Sequence, residues 1–179
     1  VYGQKTKNKE ELQEMINQDK WDDIYKKYPV ADGDFVYLPA GCLHAMGKGN
    51  VVYEIQQSTD VTYRFYDYHR KDKDGNEREL HLKQAIDCLS FDKDIDKNDV
   101  HPVVKVHENM KETIFISNDS FTVSQLLVIG KCQYKCDNYQ LATVVKGSGK
   151  VDEYEVKVGD NFLIPTNTSI ELDGQMMIM

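Results

Sequence analysis

The residues able to do chemistry gather in one stretch, 32–68. His44, Glu54, Asp60 and Arg64 supply an imidazole, two carboxylates and a guanidinium, with the last three at offsets of 10, 16 and 20 from the histidine. His44 closes a Gly-x5-Pro-x-Gly-x2-His turn made by Gly33, Pro39, Gly41 and His44. Phe35, Val36, Tyr37 and Leu38 are β-prone and bounded by turn residues. Pro39 stops ladder pairing, and Gly41 permits a backbone that a Cβ would resist. A histidine leaving so rigid a turn at the start of the next strand is aimed, as a β-barrel presents a metal ligand.

The elements that must position these groups follow from pattern. Residues 51–57 read as a strand with Val51, Tyr53 and Ile55 on one face and Val52, Glu54 and Gln56 on the other. The polar face is either solvated or, in a small barrel, part of a polar lumen. Arg64 stands between Tyr63 and Phe65 and alternates inward if its neighbours face out. An arginine among aromatics is by itself more often stacked or salt-bridged than catalytic. Its place in the set with His44, Glu54 and Asp60 favours function.

The turn resembles the second motif of the cupin barrels, with Lys48 where that motif carries Asn. The run Glu54-Ile-Gln56-Gln57-Ser58-Thr59-Asp60-Val-Thr62-Tyr63-Arg64 resembles the signature of type I mannose-6-phosphate isomerases, which often read Asn-Ser where Ser58-Thr59 stands here. The resemblance implies a mainly β fold: part of a catalytic cupin (jelly-roll β-barrel) domain, then a second, metal-free cupin-like barrel, with short helices. It implies zinc, one ion per full-length chain, with His44 as one ligand and Arg64 in the active site. In the family all but one of the zinc ligands precede this turn, and nothing in 1–32 supplies another His. The chain begins at Val1 and not Met, so a fragment or processed chain is expected, with the other ligands N-terminal to it. The implied reaction is the aldose–ketose interconversion of mannose 6-phosphate and fructose 6-phosphate. It needs a base to move a proton between C1 and C2 and a cation to stabilise the enediolate oxygen. Arg64 suits anionic oxygen, on the phosphate or the enediolate. Glu54 and Asp60 are candidates for proton transfer or for orienting other groups. The alternative is a non-catalytic sugar-binding or regulatory cupin protein.

Composition sets the bounds. A chain of 179 residues makes one domain or two small ones. Its net charge of −8 argues against nucleic acid, so a phosphorylated hexose would need a local basic pocket. No apolar run is long enough to span a membrane, and nothing resembles a signal peptide, so a cytoplasmic setting is expected. Cys42, Cys88, Cys132 and Cys136 are scattered and read as free thiols, since no second pair completes a C-x3-C zinc site.

Along the chain, Asn8-Lys-Glu-Glu11 predicts a capping box, with Leu12, Met15 and Ile16 at helical spacing behind it. Trp21, Ile24 and Tyr25 predict a second short helix. Residues 71–78 are a surface loop without EF-hand spacing. Leu82, Ala85, Ile86 and Leu89 predict a helix on which His81 is structural or exposed. The expected divisions are 1–78 for the end of the catalytic domain, 79–99 for helix and linker, and 100–179 for the second barrel. Strands are expected at 113–117, 121–129, 140–145, 154–158 and 161–164. Gly147-Ser-Gly149-Lys150 fails as a phosphate loop, because Val144 and Val151 stand where Gly and Ser or Thr are needed, and it reads as a hairpin turn. Gly159-Asp-Asn-Phe-Leu-Ile-Pro165 repeats Gly33-Asp-Phe-Val-Tyr-Leu-Pro39. After its proline, Asn167 replaces Gly41 and Ile170 replaces His44. The second copy keeps the turn and loses the ligand.

Overall fold

Asn8 starts the first element as its side chain predicts. In the computed structural model, which describes residues 1–58, 61–91 and 100–179, Asn8 Oδ1 accepts the Glu11 N–H at 2.8 Å. The Glu11 carboxylate reaches back to the Lys7 N–H at 2.8 Å, one residue earlier than a standard capping box. Helix α1 (Lys9–Asn17) follows and buries Leu12 completely. Asp19, with φ 58°, turns the chain into the single turn α2 (Trp21–Ile24), which buries Ile24. Helix α3 (Leu82–Cys88) contributes Ala85 and Ile86. These residues share one apolar cluster with Tyr25, Leu43 and Phe65.

The described residues divide into two units, Val1–Asp99 and Val100–Met179. Because α3 buries its apolar stripe in the first cluster, the segment expected to lead a linker packs within the first unit. The linker expected to end the 79–99 segment lies, from residue 92 to residue 99, outside the described residues. The expected runs 35–38 and 51–57 are not part of a strand. All eight strands of the described residues fall between Val103 and Ile178. A β-prone run becomes a strand only where a neighbour meets its N–H and C=O groups in register. The first unit instead has isolated bridges, among them Tyr2 with His44 and Gln4 with Tyr25. Val51, Val52, Tyr53 and Ile55 are consequently exposed on both sides of the run.

The second unit is all β, so the chain is mainly β with short helices. Its strands are β1 (Val103–His107), β2 (Met110–Ser117), β3 (Thr122–Ile129), β4 (Cys132–Cys136), β5 (Gln140–Val151), β6 (Tyr154–Lys157), β7 (Asn161–Ile164) and β8 (Thr168–Ile178). All pairings are antiparallel, in the order β1-β2-β3-β8-β5-β6, with β4 also on β8 and β7 also on β5. Strand β8 was not expected as a separate element. Its period-2 pattern places Ile170, Leu172, Met176 and Ile178 inward, against Val128, Tyr134, Val144 and Ile164. No helix of the described residues is long and apolar enough to cross a membrane.

The hairpin expected at 147–150 is not there. Strand β5 runs straight through it, and the turn to β6 comes at Asp152-Glu153, with Asp152 at φ 51°. The glycines serve a different need, which is close approach to β8. A Cβ on Gly147 would run into the Gln175 carbonyl, and one on Gly174 would lie 2.6 Å from the Gly149 Cα.

The internal repeat is written in the backbone. Gly33 and Gly159 have φ of 90° and 94°, while Gly41 and Asn167 have 79° and 56°. The Asp34 carboxylate accepts the Ala31 N–H at 3.0 Å, and Asp160 does the same for Lys157 at 2.8 Å. Two stretches of different sequence thus make one turn.

Candidate metal and substrate site

The turn that carries His44 is fixed from behind. Gly41 lies in the left-handed region, and a Cβ there would meet the Cys88 carbonyl at 2.8 Å and the Ser90 nitrogen at 2.9 Å. The Ser90 N–H donates to the Gly41 carbonyl at 3.1 Å. Beyond the turn, Leu43 is buried and its carbonyl accepts the Gly3 N–H at 2.7 Å, which sets His44 opposite Tyr2. Leu43 goes in and His44 stays exposed.

His44 Nδ1 lies 3.0 Å from the Cys42 carbonyl. A carbonyl only accepts, so Nδ1 carries the proton and Nε2 keeps its lone pair. Metal-bound histidines are oriented by such a contact. The imidazole therefore fits one position of a metal site. Among the described residues, no three His, Cys, Asp or Glu side chains gather into a full donor set. All four cysteines are free, and burial pushes the thiols of Cys42, Cys132 and Cys136 up, away from the metal-binding thiolate form. Among the described residues His44 is a candidate ligand without a donor set around it.

Arg64 is held more firmly than its sequence neighbours suggested. Phe65 does not face out: it is buried, edge-on to Trp21 at 5.8 Å, while Tyr66 stacks on Trp21 at 4.3 Å. This aromatic lock anchors the segment, and Arg64 is half-buried beside it. The Arg64 N–H donates to His81 Nδ1 at 3.0 Å, the His81 N–H donates to the Arg64 carbonyl at 2.8 Å, and Arg64 Nη1 donates to the Glu79 carbonyl at 2.8 Å. Glu54 is exposed, and no hydrogen bond or ion pair among the described residues joins it to His44 or Arg64. Asp60 lies outside the described residues.

Asp67 was missed. It is buried, and it accepts Arg78 Nε at 2.8 Å and Arg70 Nε at 3.1 Å, with both Nη2 groups on the same carboxylate. The hydrogen bond from Arg78, reinforced by Arg70, holds the carboxyl well below the usual range. This double staple closes a turn in which Tyr68 and His69 both take positive φ, 54° and 52°. The signal available in the sequence was the Asp67-x2-Arg70 spacing, with Arg78 ending the polar loop.

Residues 111–179 match the family model described as mannose-6-phosphate isomerase, cupin domain. Along its whole length the chain is 37% identical to a mannose-6-phosphate isomerase of Streptococcus mutans serotype c, of which it covers 58%. Over 92% of its length it is 36% identical to mannose-6-phosphate isomerase ManA of Bacillus subtilis, of which it covers 53%. The crystal structure of the mannose 6-phosphate isomerase from Bacillus subtilis superposes on 99% of the chain with a TM-score of 0.92 and 30% identity. The chain belongs to the mannose-6-phosphate isomerase family. As a mannose-6-phosphate isomerase family chain it spans little more than half the length of these relatives. The family model covers strands β2–β8, which is the half with the isoleucine in place of the histidine.

Proposed function

We propose that this chain is part of a zinc-dependent isomerase that interconverts mannose 6-phosphate and fructose 6-phosphate. The observation that carries the reading is similarity to proteins of that name over the chain's entire length. His44 would hold one zinc position, and the remaining ligands would come from other parts of the full-length protein. When bound, the zinc supplies Lewis-acid stabilisation of oxygen charge. The chain's own groups do the rest. A carboxylate, Glu54 or Asp60, takes the proton from C2 of the aldose and returns it to C1, while the hydroxyl proton passes from O2 to O1. Arg64 binds anionic oxygen, on the phosphate or on the enediolate, with a planar fork already fixed by its backbone contacts. The clamped backbone, the hydrogen-bonded guanidinium and the exposed His44 imidazole, with Nδ1 on the Cys42 carbonyl, all support these roles.

The test is Arg64→Lys in the full-length protein, which keeps the charge and loses the fork. Turnover of mannose 6-phosphate is expected to fall about 30- to 1000-fold with bound zinc unchanged. A kcat/KM at the wild-type value removes Arg64 from the site. Sugar phosphate that binds and is never turned over by the wild-type protein favours the non-catalytic cupin instead.

A further inference from the structure

His81 carries no role in the reaction so far, yet it makes two of the three hydrogen bonds that hold Arg64 among the described residues. Its ring Nδ1 accepts the Arg64 N–H at 3.0 Å, and its own N–H donates to the Arg64 carbonyl at 2.8 Å. The pair imitates two residues of an antiparallel ladder, with an imidazole nitrogen standing where a backbone carbonyl would be. The carbonyl of His81 in turn accepts the Ala85 N–H at 2.8 Å, which makes it the first residue tied to α3. Ala85 and Ile86 of that helix are buried in the core of the first unit. His81 thus passes the rigidity of a packed helix to the backbone of Arg64. A ring nitrogen that accepts a hydrogen bond must be unprotonated, so the contact exists only with neutral imidazole. Protonation would set N–H against N–H. Among the described residues, the ring of half-buried His81 meets the Arg64 amide and the edge of Tyr63, whose ring centroid is 6.4 Å away. Glu79, on its own strand of chain, is engaged through its carbonyl by the Arg64 guanidinium.

We propose that His81 is a positioning residue for Arg64, and that its neutral form holds the guanidinium in place for turnover while protonation releases it. This rests on the role given to Arg64 above. Three variants of the full-length protein separate the two claims. His81→Ala removes the acceptor, and kcat is expected to fall about 100-fold with KM changed far less, as for a group misplaced by an ångström. His81→Asn puts an amide oxygen near the position of Nδ1 and cannot titrate, so it is expected to retain most of the activity. The acid limb of its kcat–pH profile is expected to lie at lower pH than that of the wild type, where only protonation of the carboxylate base remains. His81→Asn as impaired as His81→Ala with an unchanged melting temperature, or an acid limb at the wild-type position in His81→Asn, overturns the proposal. Arg64→Lys assigns the fault: impaired Arg64→Lys beside fully active His81→Ala sinks the His81 inference alone, while fully active Arg64→Lys sinks the reading on which it stands. The wild-type Arg64 amide resonance gives a readout that depends on no variant. It is expected to shift in step with titration of the His81 ring, and an amide indifferent to that titration contradicts the clasp.

Discussion

Asp67 anchors the turn that follows Arg64. Its carboxylate is buried and held by Arg78 and Arg70 at the base of a turn three residues beyond Arg64. A carboxyl whose folded pKa lies below its unfolded value of about 4 stabilises the fold above that value and loses the contribution as pH falls toward the folded pKa. Asp67→Asn is therefore expected to melt at a lower temperature than the wild type at pH 7, with the gap narrowing as pH drops below about 4. Equal melting temperatures at pH 7 would show the staple to be idle. Sequence reasoning reached Arg64 by its offset from His44, passed over Asp67, and read His81 only as structural or exposed. Neither burial nor a contact across 17 residues leaves a mark on residue type. The same blindness left the direction of Phe65 conditional, because alternation along a run says which residues share a face and not which face is inside.

At the scale of elements, what could be read were patterns that a segment carries within itself. Asn8 ahead of Leu12, Met15 and Ile16, and the spacing of Leu82, Ala85 and Ile86, gave α1 and α3 because cap and stripe are local. The glycines of β5 could not be read in this way. Gly-x-Gly suits a tight turn or a close approach of two backbones, and only the partner strand decides between them. Gly147→Ala and Gly159→Ala separate the two meanings. Both positions have positive φ, 76° and 94°, so each substitution carries a backbone strain of roughly 1–2 kcal/mol. Only Gly147 also faces the Gln175 backbone, whereas nothing lies within 4 Å of a Cβ on Gly159. Gly147→Ala is expected to cost about 1–3 kcal/mol more than Gly159→Ala in urea unfolding, the usual range for overpacking. Equal costs would restore the hairpin reading.

Across the whole chain, the repeat visible in the sequence is matched turn for turn in φ angles and in the aspartate hydrogen bonds. The exposed apolar run at 51–57 has the composition of a strand and belongs to none of the eight strands of the described residues, because register with a neighbour is the part of a strand that its own residues do not encode. The repeat also supplies its own control. His44 is exposed after the first turn, and Ile170 is buried after the second. Ile170→Ala is expected to lose about 2–5 kcal/mol of stability through a cavity while keeping activity per folded molecule. Against that control, the most direct measurement is bound zinc per chain and mannose 6-phosphate turnover in the full-length protein, wild type beside His44→Ala. Zinc and turnover should fall together in His44→Ala with little change in melting temperature; a His44→Ala protein that keeps wild-type zinc and wild-type turnover would contradict the assignment of the metal to this turn.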